Sequence, residues 1–347
     1  MRIARVETQL HLRAPSPHPV RDALQTLPGS GRVDVLVHTD DGLVGRGDAA
    51  FGRMRGAPEV VQAIVDGMLA PLVEGRDPGN VRGIHEDLLR ETEYGGSDGL
   101  VMFAIGALNT ALWDLLGKAA GWPVHRLLGT FRDRIPAYAM VGWLNYDEDE
   151  LAATCVRALE QGFRAVKMKV GCPTLEEDVR RIERVRAAVG ADTVVMVDAN
   201  QALTTAEAIR RGRVFGALDC YWFEEPLPAE DVEGYAELAR ALDIPVATGE
   251  NLYGRHAFAP FVRRGAVDVV QGDLRRAGGP TEVLGIAALA DAHRLPYASH
   301  GGGPVNLNLL ATMPNAVYLE TGLLGAGNPV VLDGGCALVP QAPGFAW

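Results

Sequence analysis

Three acidic residues, Asp198, Glu224 and Glu250, end three short apolar segments of the sequence, and each lies 26 residues from the next. A strand, a turn, a helix and a second turn occupy about that length, so each carboxylate would stand at the end of one of three successive parallel strands. In a (β/α) barrel such strand ends meet at one mouth. Carboxylates brought together there repel one another unless a hard divalent cation lies between them, and Mg²⁺ is the usual choice. The spacing therefore predicts metal-dependent barrel chemistry.

Two lysines, an Asp/His pair and a further glutamate follow other apolar segments of the same region. Lys167 and Lys169 form a K-x-K at a strand end, and alternate side chains of a strand face the same side, here the barrel interior. Repulsion between the two ammonium groups predicts that the pKa of at least one is lowered toward that of a usable base. Asp273 and His300 end later segments, and a carboxylate that accepts one imidazole N–H raises the basicity of the other nitrogen. Glu320 ends the last segment.

The N-terminal third of the chain has the pattern of an α+β domain. Alternating apolar residues predict three antiparallel strands, at residues 3–9, 33–38 and 43–48. Helical periodicity then runs from about residue 58 to residue 128 and ends at Gly129. Within it Leu100–Ala120 is long and apolar, but it includes Asp114 and Lys118, so it predicts a buried helix rather than a membrane span.

From residue 135 the pattern becomes apolar segment, turn and amphipathic helix, repeated. The strand candidates are Ile135–Val141, Ala165–Val170, Val194–Val197, Cys220–Phe223, Pro245–Ala247, Val267–Val270, Pro296–Ala298 and Ala316–Leu319. Short continuous runs of this kind are typical of parallel strands buried on both faces, and eight of them favour one barrel over an open sheet. The predicted fold is a modified (β/α)8 TIM-type barrel, (β/α)7β-like, over residues 129–320. An α+β capping domain over residues 1–128 precedes it, and the segment 321–347 packs back on that domain.

The composition excludes several classes of partner. The 347 residues carry a net charge of −11, which argues against nucleic acid and against an anionic membrane surface. The four cysteines are scattered without a C-x-x-C pair, so they predict reduced thiols rather than disulfides or a zinc site. Charges interrupt the N-terminus, MRIARVETQL, where an export signal would be apolar. We therefore expect a cytoplasmic protein.

The motifs K-M-K, V-D-A-N, F-E-E-P, T-G-E-N, Q-G-D and S-H-G-G occur in this order and spacing. Together they resemble the enolase superfamily and, within it, the mandelate racemase subgroup. The resemblance covers essentially the whole chain, because D-G-L-V-G-R-G-D and the helix ALNTALWDLLGKAAGWPVHRLLG are similar to the capping domain of that subgroup. One departure lies at Gln271-Gly272-Asp273, where the family usually has Q-P-D, and two arginines, Arg275 and Arg276, follow.

The resemblance implies a metal centre and two proton-transfer groups. The ligands of Mg²⁺ would be Asp198, Glu224 and Glu250. Lys169 would remove or deliver a proton on one face of a carboxylate substrate, and the His300–Asp273 pair would do so on the other face.

It also implies residues that bind the substrate. Lys167 and a protonated Glu320 would donate hydrogen bonds to the enediolate that forms when the α-proton leaves, and Asn200 would contact the metal-bound substrate. His18 and Arg21, in the segment APSPHPVRDAL, are candidates for further substrate contacts.

The activity that the resemblance implies is dehydration of an acid sugar, an aldonate or an aldarate, to a 2-keto-3-deoxy acid. The alternative is a racemase or epimerase of a 2-hydroxy acid that uses the same bases, and a non-catalytic binding protein is a third class. The segment HLRAPSPHPVRDAL is polar and basic, which suits hydroxyl groups and a distal carboxylate, whereas a racemase of an aromatic acid would need an apolar lid. The choice between mono- and diacid stays open, and the resemblance implies a homo-oligomer of unspecified number.

Overall fold

The computed structural model describes residues 1–325 and 327–347. The N-terminal region contains five strands: β1 (Ile3–Leu12), β2 (Val20–Arg21), β3 (Thr26–Leu27), β4 (Gly31–Thr39) and β5 (Val44–Phe51). β1, β4 and β5 form an antiparallel sheet in that order, which confirms the predicted three-stranded arrangement, and β2 and β3 form a separate hairpin. Alternate residues of β4 (Val33, Val35 and Val37) are fully buried, so one face of the sheet packs on the helices.

Five α-helices follow the sheet. They are α1 (Ala57–Ile64), α2 (Ala70–Val73), α3 (Val81–Glu91), α4 (Gly99–Ala120) and α5 (Val124–Leu128), with a π-helical turn at Val65–Leu69 and 3-10 turns at Pro78–Asn80 and Glu93–Gly95. α4 lies against β5 so closely that a Cβ atom at Gly45 would be 2.1 Å from the Ala111 carbonyl oxygen, and one at Gly47 2.0 Å from that of Ala107. These two glycines permit the contact. α4 is long and apolar enough to span a membrane, but 72% of its most apolar window is buried in the protein, as predicted for a core helix.

Eight parallel strands then close into a barrel. They are β6 (Arg134–Gly142), β7 (Ala165–Lys169), β8 (Val194–Asp198), β9 (Cys220–Glu224), β10 (Val246–Thr248), β11 (Val269–Asp273), β12 (Tyr297–His300) and β13 (Ala316–Thr321). Neighbours in the chain are neighbours in the sheet, and β13 pairs with β6 to complete the ring. The predicted barrel with an N-terminal α+β cap is confirmed.

The helices between these strands cover the outside of the barrel. They are α6 (Glu148–Glu160), α7 (Leu175–Val189), α8 (Thr205–Ala217), α9 (Val232–Ala241), α10 (Gly254–Arg264), α11 (Leu274–Ala277), α12 (Pro280–Ala292) and α13 (Pro304–Leu310). Inside the barrel a separate cluster of buried residues includes Tyr138, Met196, Trp222 and Ala298. This packed interior leaves the polar residues at the carboxyl ends of the strands facing the mouth.

The C-terminal segment packs on the barrel as well as on the cap. β14 (Leu332–Asp333) pairs with β15 (Cys336–Leu338), and β15 adds antiparallel to β6 of the barrel. Residues 340–347 reach the cap, where the Pro340 carbonyl oxygen lies 3.2 Å from His125 Nε2 of α5 and the Phe345 N–H donates to the Asp114 carboxylate of α4 at 2.8 Å. The domain boundaries at residues 128 and 320 stay predictions. The four cysteines are free thiols, as predicted.

Candidate active site

The three carboxylates that the sequence singled out lie together at the barrel mouth. Asp198 and Glu224 end adjacent strands in register, and Glu250 follows β10 after Gly249. One oxygen from each lies within 4.8 Å of the others, and all three residues are buried. Burial raises the pKa of Glu224 to about 7, and the nearby Asp198 adds to this while Lys167 opposes it. Three buried carboxylates whose oxygens lie this close to one another fit a hard divalent cation.

Both lysines of the K-x-K contact these carboxylates. Lys169 Nζ lies 2.5 Å from Asp198 Oδ2, and Lys167 Nζ lies 2.6 Å from Glu224 Oε1 and 2.5 Å from Glu320 Oε2. Burial lowers the pKa of each lysine, but the adjacent carboxylates outweigh it and raise the pKa of both. The expectation of a lysine with a lowered pKa is therefore not met, because attraction to the acids exceeds repulsion between the ammonium groups.

His300 and Asp273 form the predicted pair on the other side of the site. His300 Nδ1 lies 2.8 Å from Asp273 Oδ2, and Nε2 lies 2.9 Å from Glu250 Oε2. Burial lowers the pKa of His300, but the carboxylates of Glu250 and Asp273 raise it well above its usual value. Burial also opposes ionisation of Asp273, yet the hydrogen bond from His300 and the nearby arginines lower its pKa to about 2.

The contacts of Glu320 favour its ionised form. Burial raises its pKa, but the contact with the Lys167 ammonium and the charge of His300 lower it to about 2. Its carboxylate also accepts hydrogen bonds from the Tyr138 hydroxyl at 2.7 Å and from the Gly301 N–H at 3.0 Å. Glu320 is thus a hydrogen-bond acceptor in this arrangement, and its role as a protonated donor to the enediolate stays a prediction.

The proposed substrate-binding residues separate into two groups. Asn200 lines the cavity at the mouth, and within the described residues its buried side-chain oxygen has no hydrogen-bond partner. His18 and Arg21 are exposed, and neither lines this cavity in the part of the chain that the structure describes. Leu24 and Gln25 of the same loop line the cavity instead. Contacts of His18 and Arg21 with a substrate therefore stay a prediction.

Several residues that the sequence analysis missed also hold the site together. Trp222 Nε1 and Gln271 Nε2 both donate to Glu224 Oε2 at 3.1 Å. Trp222 lies two residues before Glu224, and Gln271 lies two residues before Asp273. Since alternate residues of a strand face the same side, this spacing could have identified both as neighbours of the site.

Glu225, the second acid of F-E-E-P, is also affected by the site. Burial, with the charges of Glu250 and Asp198, raises its pKa well above the usual value.

One cavity of about 670 Å³ joins these groups to the capping domain. Its barrel side includes Lys169, Asn200, His300 and Glu320, and the Trp143 ring centre lies 5.4 Å from Lys169 Nζ. Its cap side is formed mainly by Leu24, Gln25, Leu27, Phe51, Arg53, Met54, Leu100 and Phe103. A barrel mouth with three clustered carboxylates, a lysine and a histidine beside them, and a wall from an N-terminal α+β domain defines a metal-dependent barrel enzyme.

Comparisons with known proteins identify the family. Residues 5–129 match the mandelate racemase / muconate lactonizing enzyme N-terminal domain, and residues 150–346 match the enolase C-terminal domain-like family. The chain belongs to the enolase superfamily, in the mandelate racemase subgroup, as the sequence motifs indicated.

Three similar proteins show the range of activities in this subgroup. The 3,6-anhydro-α-L-galactonate cycloisomerase of Streptomyces coelicolor is 33% identical over 99% of this chain and 95% of its own. The L-talarate/galactarate dehydratase of Salmonella typhimurium is 37% identical over 82% of this chain and 71% of its own. A racemase from Streptomyces coelicolor A3(2), solved with bound magnesium, superposes with a TM-score of 0.93 at 32% identity, covering 99% of this chain and 96% of its own. The magnesium in that structure agrees with the predicted cofactor.

Proposed function

We propose that this chain is a Mg²⁺-dependent dehydratase of an acid sugar, an aldonate or an aldarate. The reaction removes the proton at C2, breaks the C3–O bond, and releases the 3-hydroxyl as water. The enol that remains takes up a proton at C3 and becomes a 2-keto-3-deoxy acid. Mg²⁺ bound by Asp198, Glu224 and Glu250 would supply positive charge that stabilises the carboxylate as its α-proton leaves.

The observation that carries this proposal is the position of Lys169 and His300 relative to the three carboxylates. Lys169, at the end of β7, approaches the cluster at Asp198, and His300, at the end of β12, approaches it at Glu250. β7 and β12 lie on either side of β8, β9 and β10, whose ends carry the three acids. A substrate carboxylate at the cluster would therefore have its C2 between two groups that can exchange protons. This arrangement suits α-proton removal and delivery of a proton to a leaving group within one site.

In the proposed reaction Lys169 removes the C2 proton as the neutral amine, a form that Mg²⁺ bound by Asp198 would favour by offsetting the attraction of that carboxylate for the ammonium. His300 protonates the departing hydroxyl. Asp273 holds the Nδ1 side of the imidazole, so Nε2 is the nitrogen that serves the substrate. For a substrate of the opposite configuration at C2 the two groups exchange roles. Lys167 carries a fully buried ammonium between Glu224 and Glu320, and it would donate to the substrate carboxylate.

The cap side of the cavity favours a second candidate, the racemase or epimerase. Leu24, Leu27, Phe51 and Phe103 make much of this wall apolar, and Arg53 adds one cationic group to it. An apolar wall suits a substrate with fewer hydroxyl groups than a six-carbon diacid. In that reaction the proton removed on one face would be replaced from the other, with no leaving group.

A screen of acid sugars in the presence of Mg²⁺ separates the two candidates. The library would hold aldonates, aldarates, 3,6-anhydro-aldonates and aromatic 2-hydroxy acids, with 2-keto acid formation and C2 configuration read in parallel. We expect a 2-keto-3-deoxy product from at least one aldonate or aldarate, and no product with Lys169→Ala or without the metal. Inversion at C2 with no 2-keto acid would establish the racemase. Conversion of the anhydro acids alone would establish an elimination that opens a ring without releasing water.

A further inference from the structure

The turn that carries Asp273 lacks the proline that the family motif usually has at position 272. A Cβ atom at Gly272 would lie 2.6 Å from the hydroxyl of Tyr297, so a proline does not fit there while Tyr297 occupies this position. Glycine adds no stiffness of its own to the backbone. The position of the Asp273 carboxylate must therefore be fixed by other contacts.

Those contacts come from α11, the single helical turn that follows. Asp273 Oδ1 accepts hydrogen bonds from the backbone N–H groups of Arg275 at 2.9 Å and Arg276 at 2.7 Å. Its other oxygen, Oδ2, accepts the hydrogen bond from His300. Because one carboxylate serves both partners, a shift of α11 would move the oxygen that faces His300.

The capping domain holds α11 in place through an ion pair. Arg275 Nη2 donates to Asp48 Oδ2 at 2.7 Å, and Asp48 lies on β5 of the cap with only 11% of its side chain exposed. The backbone of the same turn lies against α4, where a Cβ atom at Gly106 would be 2.9 Å from the Arg275 carbonyl oxygen. The Asp48 carboxylate also raises the pKa of Arg275. Arg275, which contacts the cap, is therefore only two residues from Asp273 in the chain.

We propose that Asp48 and Arg275 are positioning residues for the proton-transfer pair. Their ion pair across the cap–barrel interface fixes the position of α11, and α11 fixes the position of the Asp273 carboxylate. That carboxylate in turn fixes the orientation of the His300 imidazole. This inference rests on the proposed role of His300 in proton transfer. It means that the cap contributes to the chemistry of the barrel as well as to the cavity wall.

The first test is independent of any substrate. Long-range ¹H–¹⁵N spectra of the Mg²⁺-loaded protein, at one fixed pH, would report the Nδ1–H group of His300, assigned by its loss in His300→Asn. We expect Asp48→Asn and Arg275→Met to shift or broaden this signal, which Asp273→Asn should abolish. Glu86→Gln, which removes the Arg255–Glu86 ion pair across the same interface, should leave it unchanged. An unaltered His300 signal in both Asp48→Asn and Arg275→Met would overturn the proposal.

The second test uses turnover of a substrate identified by the screen. Asp48→Asn and Arg275→Met should each lower kcat by roughly 5- to 100-fold, as expected for coupled residues, with KM changed less than about threefold. In an Asp273→Asn background neither change should lower kcat further. A rise in KM with unchanged kcat would instead make Arg275, which lines the cavity, a substrate contact, and additive losses would also contradict the proposal. If wild-type protein converts no acid sugar, the proposed function fails while the spectra still decide the positioning role.

Discussion

Replacing Asp273 by asparagine should disable His300 and leave the protein folded. The amide oxygen can replace Oδ1 and accept the two backbone N–H groups of Arg275 and Arg276. The amide NH₂ then faces His300 Nδ1, where the carboxylate oxygen had accepted a hydrogen bond at 2.8 Å. A donor in this position forces the imidazole to carry its proton on Nε2. The imidazolium, whose Nδ1–H would face that donor, is then disfavoured, so His300 can no longer deliver a proton to the departing hydroxyl as the proposed reaction requires.

The size of the effect follows from this change of tautomer. A proton-transfer group contributes about 10²- to 10⁴-fold, and an aspartate-to-asparagine change behind a catalytic histidine costs about 10⁴-fold in serine proteases. We expect kcat to fall by roughly 10³- to 10⁴-fold, which is about 4 to 5.5 kcal/mol of activation free energy. The free energy of unfolding should fall by about 2 kcal/mol, because asparagine still caps α11 but gives up the ion pair that, against burial, lowers the pKa of Asp273 to about 2.

The assay is steady-state turnover of the substrate found in the screen, with unfolding followed by circular dichroism. His293→Asn, at an exposed histidine, is the matched control and should keep wild-type turnover. The double variant Asp273→Asn/His300→Asn should be no slower than His300→Asn alone, because Asp273 acts through His300. Additive losses in the double variant, or a loss below tenfold in Asp273→Asn, would refute the reasoning.

Three further predictions concern Mg²⁺ binding, proton transfer by Lys169 and the free energy of unfolding at acid pH. Glu224→Gln should fold as the wild type does but lose measurable Mg²⁺ binding in titration calorimetry, since it removes one of three anionic ligands. Lys169→Ala should lower kcat at least about a thousandfold, measured at saturating substrate. Burial raises the pKa of Glu282, but hydrogen bonds from His85 and from the Arg255 N–H lower it overall. Its ionised form therefore adds stability that is present above the unfolded pKa of about 4.3 and lost as pH falls below it, so Glu282→Gln should flatten this acid dependence in denaturant titrations.

The clustering of Asp198, Glu224 and Glu250 could be predicted from the sequence because it depends on local patterns. Each follows a buried apolar segment, and equal spacing along the chain places them on consecutive strands of one sheet. The His300–Asp273 contact follows in the same way, since β11 and β12 are neighbours and pair Asp273 directly with His300.

Contacts between distant segments could not be predicted. The β2–β3 hairpin consists of two-residue strands, too short to leave an alternating pattern, and it decides that Leu24 and Gln25 rather than Arg21 line the cavity. The pKa values of the lysines depend on which carboxylates lie within about 3 Å, which sequence spacing does not specify. The pairing of Asp48 with Arg275 joins residues far apart in the chain, and neither residue belongs to a local motif that would indicate the other.

The central claim is that Lys169 and His300 act on opposite faces of a carboxylate substrate to remove its α-proton and expel the 3-hydroxyl. The most direct measurement is a ¹H NMR time course of the wild-type protein with Mg²⁺ and the substrate from the screen in D₂O. We predict a 2-keto-3-deoxy acid that carries one deuterium at C3, without accumulation of the C2 epimer. Accumulation of C2-deuterated epimer without 2-keto acid, or a product with no deuterium at C3, would contradict the account.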